Sequence, residues 1–178
     1  MQSNFAFDED QNVYVLDFGL SRRYREDGGE VKQARQEAEF RGTSRYASLA
    51  AHNCQDLGRV DDLWSLFYVL LEFITGTLPW MNCKQDKARI HELKNALHSH
   101  LQSSLDDYPP EVAAWAKHLE SLTFEAEPNF KLLKDQLLLL GQKYDMDVHM
   151  PMPPFWDEGL PAGAIAAICL WQSLCITE

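Results

Sequence analysis

Residues Asp61–Thr75 read DDLWSLFYVLLEFIT, and this stretch constrains the fold more than any other. Leu63, Trp64, Leu66, Phe67, Val69, Leu70, Phe73 and Ile74 occupy nearly every side of a helix. A helix apolar all round has no face to give to water, so it must be a central helix that others surround. It is too short, and too charged at its start, to span a membrane. Asp61 or Asp62 can cap its start, and Gly76 with Pro79 stops it. At 178 residues and 46% apolar composition, the chain can bury such a helix in one domain, or one domain with a tail.

Three further helices are expected around it. Lys84–Leu101 carries Ile90, Leu93, Leu97 and Leu101 at spacings of three and four. Pro109-Pro110 opens the next, with Val112, Trp115, Leu119 and Leu122 on one face. Pro128 opens the last, which runs through Phe130, Leu133, Leu137 and Leu140 to about Tyr144. Ahead of these, the β-favouring runs Asn4–Phe7 and Val13–Leu16 flank a polar turn at Asp8–Asn12 and read as a small hairpin. Asp17–His52 has no lasting period and reads as a long ordered loop, a kind of segment that is usually functional or disordered.

Charge divides the chain. The whole carries −11, which argues against general binding to nucleic acid or anionic lipid. Yet Asp17–His52 holds seven basic residues (Arg22, Arg23, Arg25, Lys32, Arg35, Arg41, Arg45) against six acidic ones. A locally basic loop on an acidic body suits an acidic partner, and equally suits a plain solvated loop. Cys54, Cys83, Cys169 and Cys175 form no C-x-x-C pair. Their spacing points to a reducing, cytoplasmic compartment, with the nucleus as the alternative. No basic n-region with an apolar h-region opens the chain, so no signal peptide is expected.

Val13-Tyr14-Val15-Leu16-Asp17-Phe18-Gly19 is an apolar strand ending in D-F-G. Phosphoryl transfer uses a strand-end carboxylate to hold Mg²⁺ against the phosphates, with a flexible Gly beside it. The tripeptide alone would equally be a strand-to-turn exit. It stands, however, in an ordered series: Ser3-Asn4-Phe5-Ala6, Leu16–Arg22, Phe40-Arg41-Gly42-Thr43-Ser44-Arg45-Tyr46-Ala47-Ser48, Gly58–Tyr68 and Gly76-Thr77-Leu78-Pro79-Trp80. Over roughly residues 3 to 144 this series resembles the protein kinases, and most closely the casein kinase I superfamily in its tau-tubulin kinase branch. The absence of an A-P-E ending, with Ala47-Ser48-Leu49 near its place, is a further likeness to that branch.

The resemblance implies a mainly α kinase C-lobe over residues 1–145, with a small β-hairpin before the D-F-G motif and the N-lobe absent. Its activation segment would span about 17–52 and its lobe helices about 61–144. Asn4 and Asp17 would be the Mg²⁺ and cofactor ligands, and ATP the cofactor. Arg41, Thr43 and Arg45 would line the substrate side, with Thr43 also ordering the catalytic loop and Arg45 facing acidic or phosphorylated neighbours of the target hydroxyl. Asp62 would be a structural anchor bonding catalytic-loop backbone. Taken singly, Asn4 is a turn residue, Arg45 a solvated charge and Asp62 a helix cap.

In the pattern H-R-D-L-x-x-x-N the base Asp precedes its Asn by five residues. With Asn4 as that Asn, the base falls upstream of Met1, and Met1 stands where the loop's Lys is usual. The Gly-rich loop and the phosphate-pairing Lys are missing as well. Two metal ligands cannot replace them, so the chain alone is expected to be inactive, a truncated kinase domain. It is also expected to dissolve poorly, because faces normally covered by the small lobe would be open. A non-catalytic module that keeps the substrate-side surface and binds acidic proteins is the alternative.

Residues 146–178 form a divergent tail, in which Gly159–Thr177 is uncharged throughout. Three readings stand for it: a helix packed on the lobe, a weak membrane anchor, or sequence foreign to the domain. His98 and His100 are placed on a polar helix face without a matching ligand cluster, and Cys54 and Cys83 as small packing residues.

Overall fold

The computed structural model describes residues 5–8, 13–84 and 86–144. The expected hairpin is present: β1 (Phe5–Phe7) pairs antiparallel with β2 (Val13–Val15), with Ala6 opposite Tyr14. From there to residue 48 the chain is irregular apart from one bridge, Arg25 to Val31. The loop reading of 17–52 misses α1 (Leu49–His52), a single turn whose N-cap Ser48 accepts from the Ala51 amide at 3.1 Å. So short a helix has no periodicity to betray it.

The central helix is α2 (Arg59–Thr75), which begins two residues earlier than its apolar run suggests. Neither Asp61 nor Asp62 is its N-cap. Gly58 holds that position, and Asp61 reaches back from the first turn to accept the Gly58 amide at 2.8 Å. Gly58 is required by packing, since a Cβ there would meet the Phe124 carbonyl oxygen at 2.8 Å. Gly76, at φ 73°, takes the left-handed position that closes the helix. Leu63, Trp64, Leu66, Phe67, Tyr68, Val69, Leu70 and Leu71 are all buried, as expected of a helix that others surround.

The surrounding helices arrive with shifted ends. The Lys84–Leu101 expectation resolves into a 3₁₀ turn at Met81–Cys83, then α3 (Lys87–Ser99), then α4 (Leu101–Ser104) beyond a break at His100. Asp86 caps α3 by accepting the Arg89 amide at 3.0 Å. α5 (Pro110–Glu120) opens on the second proline, where a missing N–H costs nothing, and buries Val112, Trp115 and Leu119. α6 (Phe130–Lys143) is capped by Asn129 rather than opened by Pro128. α5 packs on both α2 and α6, and α1 on α3.

Cys54 is exposed with φ 56° and is no packing residue; Cys83 is half-buried against the core. His98 is not on a polar face. It lies 4.3 Å from the Trp64 ring, with its Nε2 2.8 Å from the Tyr68 hydroxyl, and burial pushes its pKa down to about 4. Tyr14, Val15, Leu16, Phe18 and Leu20 form an exposed apolar run, Phe18 being 68% exposed. No helix among the described residues is long and apolar enough to cross a membrane, and the Gly159–Thr177 tail lies outside the described residues.

Candidate functional site

β2 delivers Asp17 at its exit. Asp17 takes φ 64°, a left-handed conformation that short polar side chains tolerate, and its Oδ1 accepts the Gly19 amide at 3.1 Å. The other carboxylate oxygen is open on an exposed side chain, which suits a ligand to a hard cation. Asn4, its expected companion, lies outside the described residues.

Beyond Asp17 the long loop is pinned to the lobe at three stations. At the first, Tyr24 donates its hydroxyl to the Phe124 carbonyl and packs against the Phe124 ring, 5.5 Å between centroids. Arg59 stacks over Tyr24 at 5.0 Å, and Glu127 receives both Arg25 (3.0 Å) and Arg59 (2.9 Å).

At the second station the carboxylate of Asp56 is buried, its side chain 2% exposed. Arg35 donates from Nη2 and Nε to the one oxygen Oδ1 at 2.7 and 3.1 Å, while its own amide at 2.9 Å and Arg22 at 2.6 Å donate to Oδ2. The Arg35 hydrogen bond, above all, holds this carboxyl well below the ordinary 3.8. A depressed folded pKa means the contribution to stability is complete above the ordinary value and is lost as pH falls below it. Asp56→Ala should cost about 2–3 kcal/mol near neutral pH, discounted because both arginines are half-exposed, and should flatten the acid limb of stability. Urea melts of both proteins between pH 3 and 7 check this; parallel acid limbs would refute it.

At the third station the segment Thr43–Ser48 turns over on itself, the Tyr46 and Ala47 amides donating to the Thr43 carbonyl at 3.1 Å each. Its own carbonyls face the lobe. Lys94 Nζ donates to Ser44 O at 2.9 Å and Ala47 O at 2.5 Å, and Trp80 Nε1 donates to Arg45 O at 2.8 Å. Tyr46 donates its hydroxyl to Glu72 at 2.5 Å. Arg41 and Thr43 are exposed and Arg45 is half-exposed, stacked over Tyr46 at 5.9 Å.

These pairings redistribute the charge that sequence alone assigns to the loop. Arg22, Arg23, Arg25 and Arg35 are each in ion pairs, and Arg41 reaches Glu39 only at 3.9 Å. Among the described residues Lys32 and Arg45 form none. The positive charge left open in the loop is therefore narrower than the count suggests: Lys32, Arg45 and the weakly paired Arg41.

Asp62 keeps an exposed edge and makes no hydrogen bond among the described residues. The lobe packed around its carboxylate, and then the charge of Asp61, push its pKa up to about 6. It is not a helix cap; that work falls to Asp61. Asp56, Lys94 and Trp80 were not foreseen as site residues. Lys94 had a signal, because it sits four residues after Ile90 on the apolar face of α3. Asp56 had none, since 34 residues separate it from Arg22.

The family model that matches this chain is described as protein kinase domain, and it covers residues 2–138. A Dictyostelium discoideum protein named "Probable serine/threonine-protein kinase" is 46% identical over 166 residues, which is 91% of this chain and 32% of that protein. Two Caenorhabditis elegans proteins whose names also carry serine/threonine-protein kinase are similar to it. One is 34% identical over 148 residues (79% of this chain, 42% of that protein), the other 29% over 157 residues (88% and 46%). The chain thus spans between a third and a half of the length of these curated relatives.

Proposed function

The chain belongs to the protein kinase family, and from that premise we propose that it is the substrate-side part of a serine/threonine kinase that phosphorylates acidic or already phosphorylated proteins with ATP. Its motif series supports a place in the casein kinase I superfamily, near the tau-tubulin kinases. The observation that carries the reading is one continuous path, from the open carboxylate of Asp17 to the unpaired cation of Arg45, held on a helical lobe.

Asp17 and Asn4 are the residues that would hold Mg²⁺, and Mg²⁺ when bound neutralises charge on the phosphates of ATP. This chain's own part is to orient that ion through Asp17, whose second oxygen is tied to Gly19, and to present the substrate beside Thr43 and Arg45. Asp62 would anchor backbone of the catalytic loop, a role supported by its place in the motif series Gly58–Tyr68. The base Asp that the H-R-D-L-x-x-x-N pattern places five residues before its Asn is not among the residues assigned to this site, so the proposed transfer is tested in a joined protein. Nothing in this reading calls for nucleic acid or membrane, and the cysteine spacing supports a cytoplasmic protein.

The test joins this chain to the upstream part of its Dictyostelium relative and assays an acidic protein such as casein. Transfer by the joined protein and none by the 178-residue chain is expected. Equal transfer by the 178-residue chain alone would remove the claim that its base lies elsewhere, and no transfer by an otherwise folded joined protein would count against the kinase reading.

A second reading is favoured by the three pinning stations, every partner of which lies in residues 22–127. The substrate-side surface is then formed without an upstream half, and the chain binds acidic peptides as a non-catalytic module. Arg45→Ala should weaken such binding about three- to tenfold at low salt, with a smaller difference at 0.5 M salt, because an exposed charge acts through a screened field. Fluorescence anisotropy with a Glu-rich peptide measures it, and an unchanged Kd would dispose of the module.

A further inference from the structure

Lys94 is the one cation among the described residues that is wholly buried, 0% exposed, and it forms no ion pair there. An unpaired buried ammonium is costly, and a methionine of nearly the same length would fill the space without that cost. What the ammonium has instead is a designed set of neighbours. Two carbonyl oxygens of one turn, Ser44 and Ala47, accept from it, and the rings of Tyr68 (4.5 Å) and Trp80 (5.1 Å) offer it their faces. Trp80 is used twice, since its Nε1 takes the intervening Arg45 carbonyl.

We propose that Lys94, with Trp80, is a positioning residue for the substrate: it draws the carbonyls of residues 44, 45 and 47 into the lobe and so turns the side chains of Thr43 and Arg45 toward an acidic substrate. This deepens the reading of the Thr43–Arg45 surface as the substrate side and rests on it. Removing the ammonium leaves the buried Ala47 carbonyl without its side-chain donor and the Ser44 carbonyl with only the longer contact to His52, so the turn has reason to reorganise. His52 Nε2, 3.3 Å from Ser44 O, cannot take over the Ala47 carbonyl.

The titratable groups facing the ammonium are His52 from α1, Tyr68 from α2 and His98 from α3, with His91 stacked behind His52. Burial pushes Lys94 down to about 7 and holds His52 and His98 at about 4, so above pH 6 His52 and His98 are neutral. A folded pKa below the ordinary 10.5 means the ordered turn favours the neutral amine, whose two N–H groups still serve two carbonyls, so the turn should hold or tighten as pH rises through about 7, a dependence that a packing role played by the side-chain stem alone would not produce.

The full chain and its Lys94→Met variant are compared in two measurements. The first is anisotropy with a Glu-rich peptide free of His and phosphate, from pH 6 to 8.5. Lys94→Met should bind about tenfold more weakly at pH 6, and the gap to the unaltered chain should not close as pH rises to 8.5. The second is amide exchange, normalised to intrinsic rates: protection of Tyr46 and Ala47 should fall about tenfold in the variant while Leu133 and Leu137 in α6 keep theirs. Trp80→Phe, which keeps an aromatic face and loses one hydrogen bond, should show about a third of the effect and serves if Lys94→Met does not fold. Affinity and Tyr46–Ala47 protection both unchanged in a folded variant would overturn the proposal. If the unaltered chain binds no acidic peptide, the acidic-substrate reading fails, and the exchange result alone decides whether Lys94 orders the turn.

Discussion

Asp17→Ala, introduced into this chain joined to an upstream kinase half, should lower phosphoryl transfer by roughly three orders of magnitude or more. The magnitude follows from what the side chain does. Its open oxygen is the proposed strand-end ligand for Mg²⁺, and catalysis in this family comes from positioning and charge neutralisation with little covalent help from the protein. Its tied oxygen, bonded to the Gly19 amide, keeps the carboxylate aimed. Asp17→Asn is the sharper variant, because it preserves size and one acceptor oxygen and removes the charge. Both should leave the melting temperature nearly unchanged, since the side chain is exposed and makes one local bond. Transfer retained within tenfold by either variant would contradict the assignment of Asp17.

Phe67→Ala should have the largest effect on the fold itself, destabilising it by about 3–5 kcal/mol. Phe67 is 0% exposed at the middle of α2, with edge-on contacts to Trp64 (5.4 Å between ring centroids) and Trp115 (6.3 Å) and a tilted one to Tyr68 (6.3 Å). Truncation opens a cavity where helix α2 meets α5, and the three remaining rings, of Trp64, Tyr68 and Trp115, cannot close it by a small shift. Against a usual total of about 5–15 kcal/mol, this is enough to unfold a marginal lobe. Near-ultraviolet circular dichroism and urea denaturation report the outcome. A loss below about 1 kcal/mol would mean that α2 is not the centre of the core.

The two predictions separate fold from chemistry. Phe67 can be altered without touching the loop, and Asp17 without touching the core. Lys94 stands between them, being both core and site, which is why its proposed role needs exchange protection at the turn as well as affinity.

Some of this was legible in the residues alone. An all-round apolar stretch can only be a central helix, and three amphipathic stretches with proline or glycine punctuation can only surround it. Helix ends moved by a few residues, because capping is decided by whichever local acceptor reaches the free amides: Asp61 bonds back to Gly58, and Asn129 displaces Pro128. The strand exit at Asp17 was legible from its motif, because a strand end, an acid and a glycine are contiguous in the chain, and the metal role proposed for Asp17 rests on that motif.

What only the tertiary structure decided is how the long loop is held and which of its charges remain open. Periodicity ends at Asp17 and does not resume until α2, so no local rule relates Arg22 or Arg35 to Asp56, or Tyr24 to Phe124. Ion pairs over such separations depend on where the helices put their partners. The same holds for Lys94: its place on the apolar face of α3 was readable from spacing, but its reason for being there, two carbonyls contributed by a turn about fifty residues earlier, exists only once the lobe is folded.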